Sequence, residues 1–214
     1  MSKVRKTRVA IVLIIALCLF TSTAVSSFAA SSKTRKMTVY DEVIKLGNSV
    51  YCCDGYKIYK VDDITNTVTV LVNVKSMSWI SGMSIHKGYL YYCIGYNHPE
   101  VDIRRIKLTG GKTKLVYRAK HCENISAYAI KGSRVYVQYK NGDSGKTIKR
   151  SVKLNGKSKK KSKYKVKNTV NKTNVPNYSI YEYENAARES YITYLVKPNG
   201  QKIRLAEIFS DDYE

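Results

Sequence analysis

The sequence predicts an all-β fold made of four repeats, each a four-stranded antiparallel sheet, and three observations carry that expectation. A β-prone pair recurs as Val50-Tyr51, Leu90-Tyr91, Val135-Tyr136 and Ile180-Tyr181, at separations of 40, 45 and 45 residues. A hydrophobic residue heading a turn recurs in phase with it, at Val61, Ile106, Val152 and Val196. Between these landmarks β-branched, aromatic and polar residues alternate in short runs, the pattern of half-buried strand rather than of helix.

The elements follow in chain order. Lys3, Arg5, Lys6 and Arg8 precede an apolar run from Val9 to Phe20, shorter than the roughly 20 residues a spanning helix needs. Ser27-Phe28-Ala29 offers small residues for cleavage after Ala29, with Ala24-Val25-Ser26 as a second site. Residues 1–29 therefore read as a signal peptide, and the chain is expected to be secreted or extracellular and envelope-associated. Leu17 ahead of Cys18 does not suit lipid attachment, which leaves Cys18 as an apolar residue of the run. An uncleaved anchor, with its N-terminus in the cytoplasm, is the other reading of the same charges. It is also the only expected membrane contact. Residues 30–37 read as a linker, 38–209 as the repeats and 210–214 as a tail.

Turn residues punctuate the repeats. Gly47-Asn48, Gly88 and Gly132-Ser133 precede the first three landmark pairs, and Pro176-Asn177 stands in for the fourth. The segments after the second landmark read DDITN, KLTGG, KLNGK and KPNGQ, with Gly-Gly or Asn-Gly chemistry in the last three. The first uses Asn66 instead. In the second copy, strands are expected over 81–87, 89–95, 102–108 and 112–117. That is one blade of a propeller, and a period of about 40 to 50 residues marks such arrays. No blade buries both faces alone, so neighbours must stack. The stretch NAARES, 185–190, favours helix locally and is read as the tip of the last hairpin. No long helix is expected after residue 30.

GNSVYCCDGYKIYKV, GYLYYCIGY followed by IRRIKLTGG, and GSRVYVQY followed by IKRSVKLNG resemble the repeats of secreted bacterial propeller domains of unknown function. These are similar in turn to the YWTD-type propellers of lipoprotein-receptor ectodomains. The resemblance spans about Thr38 to Phe209. It implies a β-propeller-like fold and is nearly silent on activity, because propellers host unrelated functions. No blade carries the letters YWTD in order, and four copies fall short of that type's six. Closure of the blades into a ring is therefore left open.

Charge narrows the class. The chain has 38 Lys+Arg against 16 Asp+Glu, a formal +22, and losing the leader's four basic residues still leaves +18. A hydrophobic share of 43% with 11% aromatics supplies a core and excludes wholesale disorder. Three Pro, 12 Gly, three His and five Cys exclude collagen-like, His-rich metal-storage and disulfide-stapled classes. So basic a protein attracts polyanions by steering and counterion release. Outside a cell these are wall polymers, anionic headgroups and acidic glycans, whereas nucleic acid is scarce. The densest charge is Lys157, Lys159, Lys160, Lys161, Lys163, Lys165 and Lys167, seven Lys in eleven residues. Lys163, Lys165 and Lys167 alternate with Tyr164 and Val166, which predicts the outer strand of the third blade with one packed and one cationic face. Edge strands also carry Lys to block edge-to-edge pairing, and that explains part of the run without any ligand. The 19 Tyr offer stacking platforms for sugars, although most sit where a propeller core needs them.

Other reactive residues are weaker. Cys52, Cys53, Cys93 and Cys122 would enter an oxidising compartment. Cys53 and Cys93 hold the same strand position in adjacent copies, so facing blades could set Cys52 against Cys93 in a disulfide. Buried reduced thiols acting as small hydrophobes are the competing reading. His98, Glu100 and Asp102 alternate as a metal or acid-base site would, yet Pro99 and the loop context read as three solvated residues. Glu182 and Glu184 share a face, which glycoside cleavage would use and exposed strands commonly show. His86 and His121 lack a partner at a recognisable spacing. No catalytic or nucleotide fingerprint is present, so neither a cofactor nor an enzyme is expected. The expectation is an exported, noncatalytic binding or scaffolding module with an anionic wall or glycan polymer, or a protein, as partner. The alternatives are a secreted carbohydrate-active hydrolase or lyase working in the propeller funnel, and a structural partner that assembles with another propeller or with itself.

Overall fold

The computed structural model describes residues 37–38, 42–75, 77–122, 124–125, 127–166, 177–185 and 188–209. The expected signal peptide and tail lie outside them, as do Lys167, part of the NAARES tip and all of the expected linker but Met37, which belongs to the first strand. Among the described residues, sixteen strands form four antiparallel four-stranded sheets arranged like propeller blades. The first blade is β2 (Val43–Leu46), β3 (Ser49–Cys53), β4 (Lys57–Asp62) and β5 (Val68–Asn73). The second is β6 (Ser78–His86), β7 (Tyr89–Tyr96), β8 (Glu100–Lys107) and β9 (Lys114–Lys120). The third is β10 (Ala127–Lys131), β11 (Arg134–Lys140), β12 (Thr147–Lys153) and β13 (Lys160–Lys161). The fourth is shared between distant parts of the chain: β1 (Met37–Thr38) pairs with β14 (Ser179–Asn185), followed by β15 (Ser190–Val196) and β16 (Lys202–Phe209).

Both landmarks fall at equivalent places. The β-prone pairs lie on the second strand of each of the first three blades and on β14, second in the order of the fourth, and the turn-heading residues lie on the strand after. Turn chemistry sets the register. Lys87 and Gly88 both take positive φ, 48° and 76°, as the twist-matched two-residue hairpin requires, and His86 consequently pairs with Tyr89. Gly95 has another role: a Cβ there would lie 2.2 Å from the Trp79 ring, so its missing side chain lets the indole cross the sheet.

Three hydrophobic cores join the blades in a row. Val50, Cys52 and Val61 pack with Ile180 and Leu195 between the first and fourth blades. Tyr51, Cys53 and Ile58 pack with Met83, Leu90 and Ile106 between the first and second. Tyr91, Cys93 and Ile103 pack with Tyr128, Val135 and Val152 between the second and third. Among the described residues no core joins the third blade to the fourth.

Polar contacts tie the same junctions. The Glu42 carboxylate accepts from Gly82 N at 2.6 Å and Met83 N at 3.1 Å, at the point where β6 bulges between Ser81 and Ser84. Tyr128 of the third blade donates its hydroxyl to the Gly82 carbonyl and lies 3.0 Å from Ser84 Oγ. The bulge in β6 therefore gathers β10 and the residue immediately before β2, from three successive blades. At the other junction Asp63 accepts from Lys45 and Tyr178 and pairs with Lys197 at 3.2 Å. These donors, Lys45 foremost, pull its carboxyl down to about 2.

Candidate functional site

The lysine run is built differently from the expected strand. Only Lys160 and Lys161 form β13, opposite Ser151 and Arg150. The corresponding outer strands of the other blades have six, seven and eight residues. Ser162 N still donates to Lys149 O, after which the chain leaves the edge. The alternation nonetheless has a physical counterpart: Lys163 and Lys165 are exposed, while Val166 is 4% exposed. Tyr164, 41% exposed, lies against Tyr136 at 4.8 Å between ring centroids.

Because β13 is short, the edge of β12 beyond it is open. A groove of about 400 Å³ lies there, lined by Thr147, Ile148, Lys149, Arg150, Lys161 and Ser162. Lys161 in its lining is exposed, as are Lys157, Lys159 and Lys160, which precede it in the chain. Lys159 reaches back to the second blade, with Nζ 5.2 Å from the Tyr117 ring centre. Arg134 anchors the turn that delivers these lysines, donating to Ser151 and, at 2.7 Å, to the Ser158 carbonyl. Between Asp143 and Glu182 the chain carries twelve Lys and Arg and no acid. Among the described residues none of the run's lysines has an ion-pair partner within 4.0 Å. Sequence reasoning on the run alone missed Lys149 and Arg150, which β12 sets beside it, and Lys131 and Tyr136, which meet the ring of Tyr164. The acid-free interval and the alternation in RVYVQYK were the available signals.

The remaining candidates resolve as follows. Cys52 and Cys93 do not pair: Cys52 faces the fourth blade and Cys93 the third, so two sheets separate them, and all four described cysteines are buried thiols outside any disulfide. Strand alternation does put Cys52 and Cys53 on opposite faces, but it is Cys53 that faces the second blade. Burial raises the thiol pKa of Cys52, Cys53 and Cys93 and keeps them protonated.

Asp102 is not a solvated loop residue. It lies fully buried on β8, accepting from Tyr96, Arg104 and Arg118. Burial alone would push its carboxyl up, but Arg118, Tyr96 and Arg104 outweigh that and hold it below the usual range. Arg118 also faces Glu100 at 3.4 Å, and His98 stacks on Tyr96. The alternating acids thus anchor two arginines. His86 Nε2 lies 3.0 Å from the Gly132 carbonyl, and His121 pairs with Asp143 at 2.7 Å. Among the described residues no group of three His, Cys, Asp or Glu could hold a metal ion.

Glu182 is part-buried on β14, and its carboxyl is raised by burial and by the charge of Asp54. Glu184 is exposed. Asp54 accepts from Tyr56 N, Lys57 N and the Tyr59 hydroxyl, so its oxygens are committed to the turn that holds them.

No family model matches the chain, and no curated protein matches it. Among solved structures it is similar to an oligogalacturonate lyase in complex with manganese, at 12% identity and a TM-score of 0.45, over 75% of this chain and 50% of that one. A prolyl endopeptidase is similar at 11% identity and a TM-score of 0.39, over 76% of this chain and 25% of that one. The WD40 domain of SCAP from fission yeast is similar at 12% identity and a TM-score of 0.36, over 78% and 41%. The chain spans half or less of the length of these proteins. The similarity is distant, to propeller and WD40 proteins of varied function.

Proposed function

We propose that this protein is an exported, noncatalytic binding module of the bacterial envelope, and that the outer edge of its third blade holds an anionic polymer. The observation that supports this most is the open groove along β12, with Lys149, Arg150 and Lys161 in its lining, inside an interval of sequence that carries no acid. A polyanion laid there would displace the counterions of several lysines at once. The leader-like first 29 residues and the resemblance to secreted, YWTD-like repeats belong to the same reading.

Replacing Lys159, Lys160, Lys161, Lys163 and Lys165 with Gln tests it, with long-chain polyphosphate and alginate as probes at two salt concentrations. Affinity should fall, and the slope of log K against log salt should flatten by roughly 0.7 for each lysine that no longer neutralises an anionic group, as for single-stranded polyelectrolytes. Stability should hold, because these side chains are solvated. Unchanged affinity with increased light scattering would instead make the run an edge guard and nothing more.

The enzymatic alternative has one specific support, the raised carboxyl of Glu182 beside Asp54. A carboxyl raised by burial and by the field of a second carboxylate is the kind of group glycoside cleavage employs as its acid. Turnover of an acidic oligosaccharide that Glu182→Gln abolishes would decide for it.

A further inference from the structure

We propose that the face of the third blade that no described core covers binds the sugar rings of an acidic glycan, with Tyr136 and Tyr164 as the stacking platform and the surrounding cations as partners for its acid groups. This rests on the polyanion reading above and narrows it to one ligand class.

The argument begins at a position the repeats share. Tyr51 and Tyr91 follow the landmark residue in the first two blades and are 2% and 0% exposed, each inside a core between blades. Tyr136 holds the same place in the third blade and is only half-buried, because no described core covers its side of the sheet. Its register neighbours are Ala129, Ser151 and, one strand further, Lys160. Two residues along on either side, about 7 Å away, the same face carries Arg134 opposite Lys153 and Gln138 opposite Lys149. The chain leaving β13 then lays Tyr164 against Tyr136 at a 45° tilt, and Lys131 Nζ stands 5.8 Å from the centre of the Tyr164 ring.

Each part of this has a chemical counterpart. A pyranose presents a face of C–H bonds that packs on an aromatic ring, and its hydroxyls suit the tyrosine O–H groups, which keep a polar end in water. Carboxylates or sulfates projecting from the ring edge would meet the lysines within one sugar length. A ring-free phosphodiester or phosphate chain would use the cations and leave the tyrosines idle. A second copy of the chain is a poor occupant, since identical cationic faces repel.

The test compares alginate, an acidic glycan, with long-chain polyphosphate, a ring-free polyanion, at matched charge concentration on the full chain. The expected result is a preference for alginate that Tyr136→Ala with Tyr164→Ala reduces tenfold or more, with polyphosphate binding unchanged. The paired Tyr→Phe variant should keep most of the alginate affinity and controls for folding. Equal loss on both polymers, or no loss on either, overturns the platform. Binding of polyphosphate alone overturns this inference and leaves the polyanion reading standing, whereas binding of neither polymer removes both.

Discussion

Strands β7 and β11 occupy the same place in successive blades and are buried in opposite styles. YLYYCIGY of β7 is buried at six consecutive positions, whereas RVYVQYK of β11 is buried only at Val135, Val137 and Tyr139. The difference follows from position in the row. The second blade has a neighbour on each side and needs apolar residues on both faces, while the third has a described core on one. A strand sandwiched between layers reads as a continuous hydrophobic run, and a strand with one solvated face alternates. The first blade repeats the sandwiched style in SVYCC. Most of β15, in the fourth, alternates, with Tyr194 beside buried Thr193 and Leu195. Inner and end blades are therefore distinct kinds of sheet built on one repeat.

The sharpest way to break that comparison is to truncate the equivalent tyrosines. Tyr91→Ala should cost about 3–5 kcal/mol, because it empties the core between the second and third blades. Tyr136→Ala should cost about 1 kcal/mol, mostly its packing on Tyr164. Urea unfolding of both variants measures the gap, and equal losses would mean that the end face is packed after all. Next in size is Asp102→Asn, which leaves Arg104 and Arg118 without their shared carboxylate. Since both guanidiniums reach solvent, a loss of about 2 kcal/mol is expected, below the range for a sealed ion pair.

Asp63→Asn, at the junction of the first and fourth blades, should change stability least, by under about 1 kcal/mol, because Lys45, its foremost partner, is open to solvent and the amide oxygen can still accept from the same donors. Its sign with pH is fixed. The folded carboxyl is depressed to about 2, so it stabilises the fold above the unfolded value near 4 and loses that effect as pH falls toward 2. Thermal melts of the variant and the parent should differ at pH 7 and converge at pH 2.

The blade count, the phase of the landmarks and the four strands of the second blade were all legible in the sequence, because turn chemistry and alternation are local. What was not legible depends on which face looks at which neighbour. Adjacent Cys52 and Cys53 announce opposite faces, but only the blade order assigns Cys52 to the fourth blade. Asp102 in EVDIRR reads as an exposed acid until Arg118, from the next strand, is brought onto it. The lysine run advertised its charge correctly and its secondary structure wrongly. Only Lys160 and Lys161 pair with β12, and Tyr164 then packs on Tyr136 instead of extending the outer strand.

The fourth blade takes β1 from one part of the chain and its other strands from another, with Met37 opposite Glu182. Ribosomes deliver those partners in order, at roughly 5–20 residues per second, so the first strand waits on the order of ten seconds for its mate. Throughout that interval Val43, Val50, Cys52, Tyr59 and Val61 lack the fourth-blade side of their core. A nascent chain at that stage exposes an apolar face that the finished fold hides, and the face is covered only when Ile180, Leu195 and Ile203 have been made.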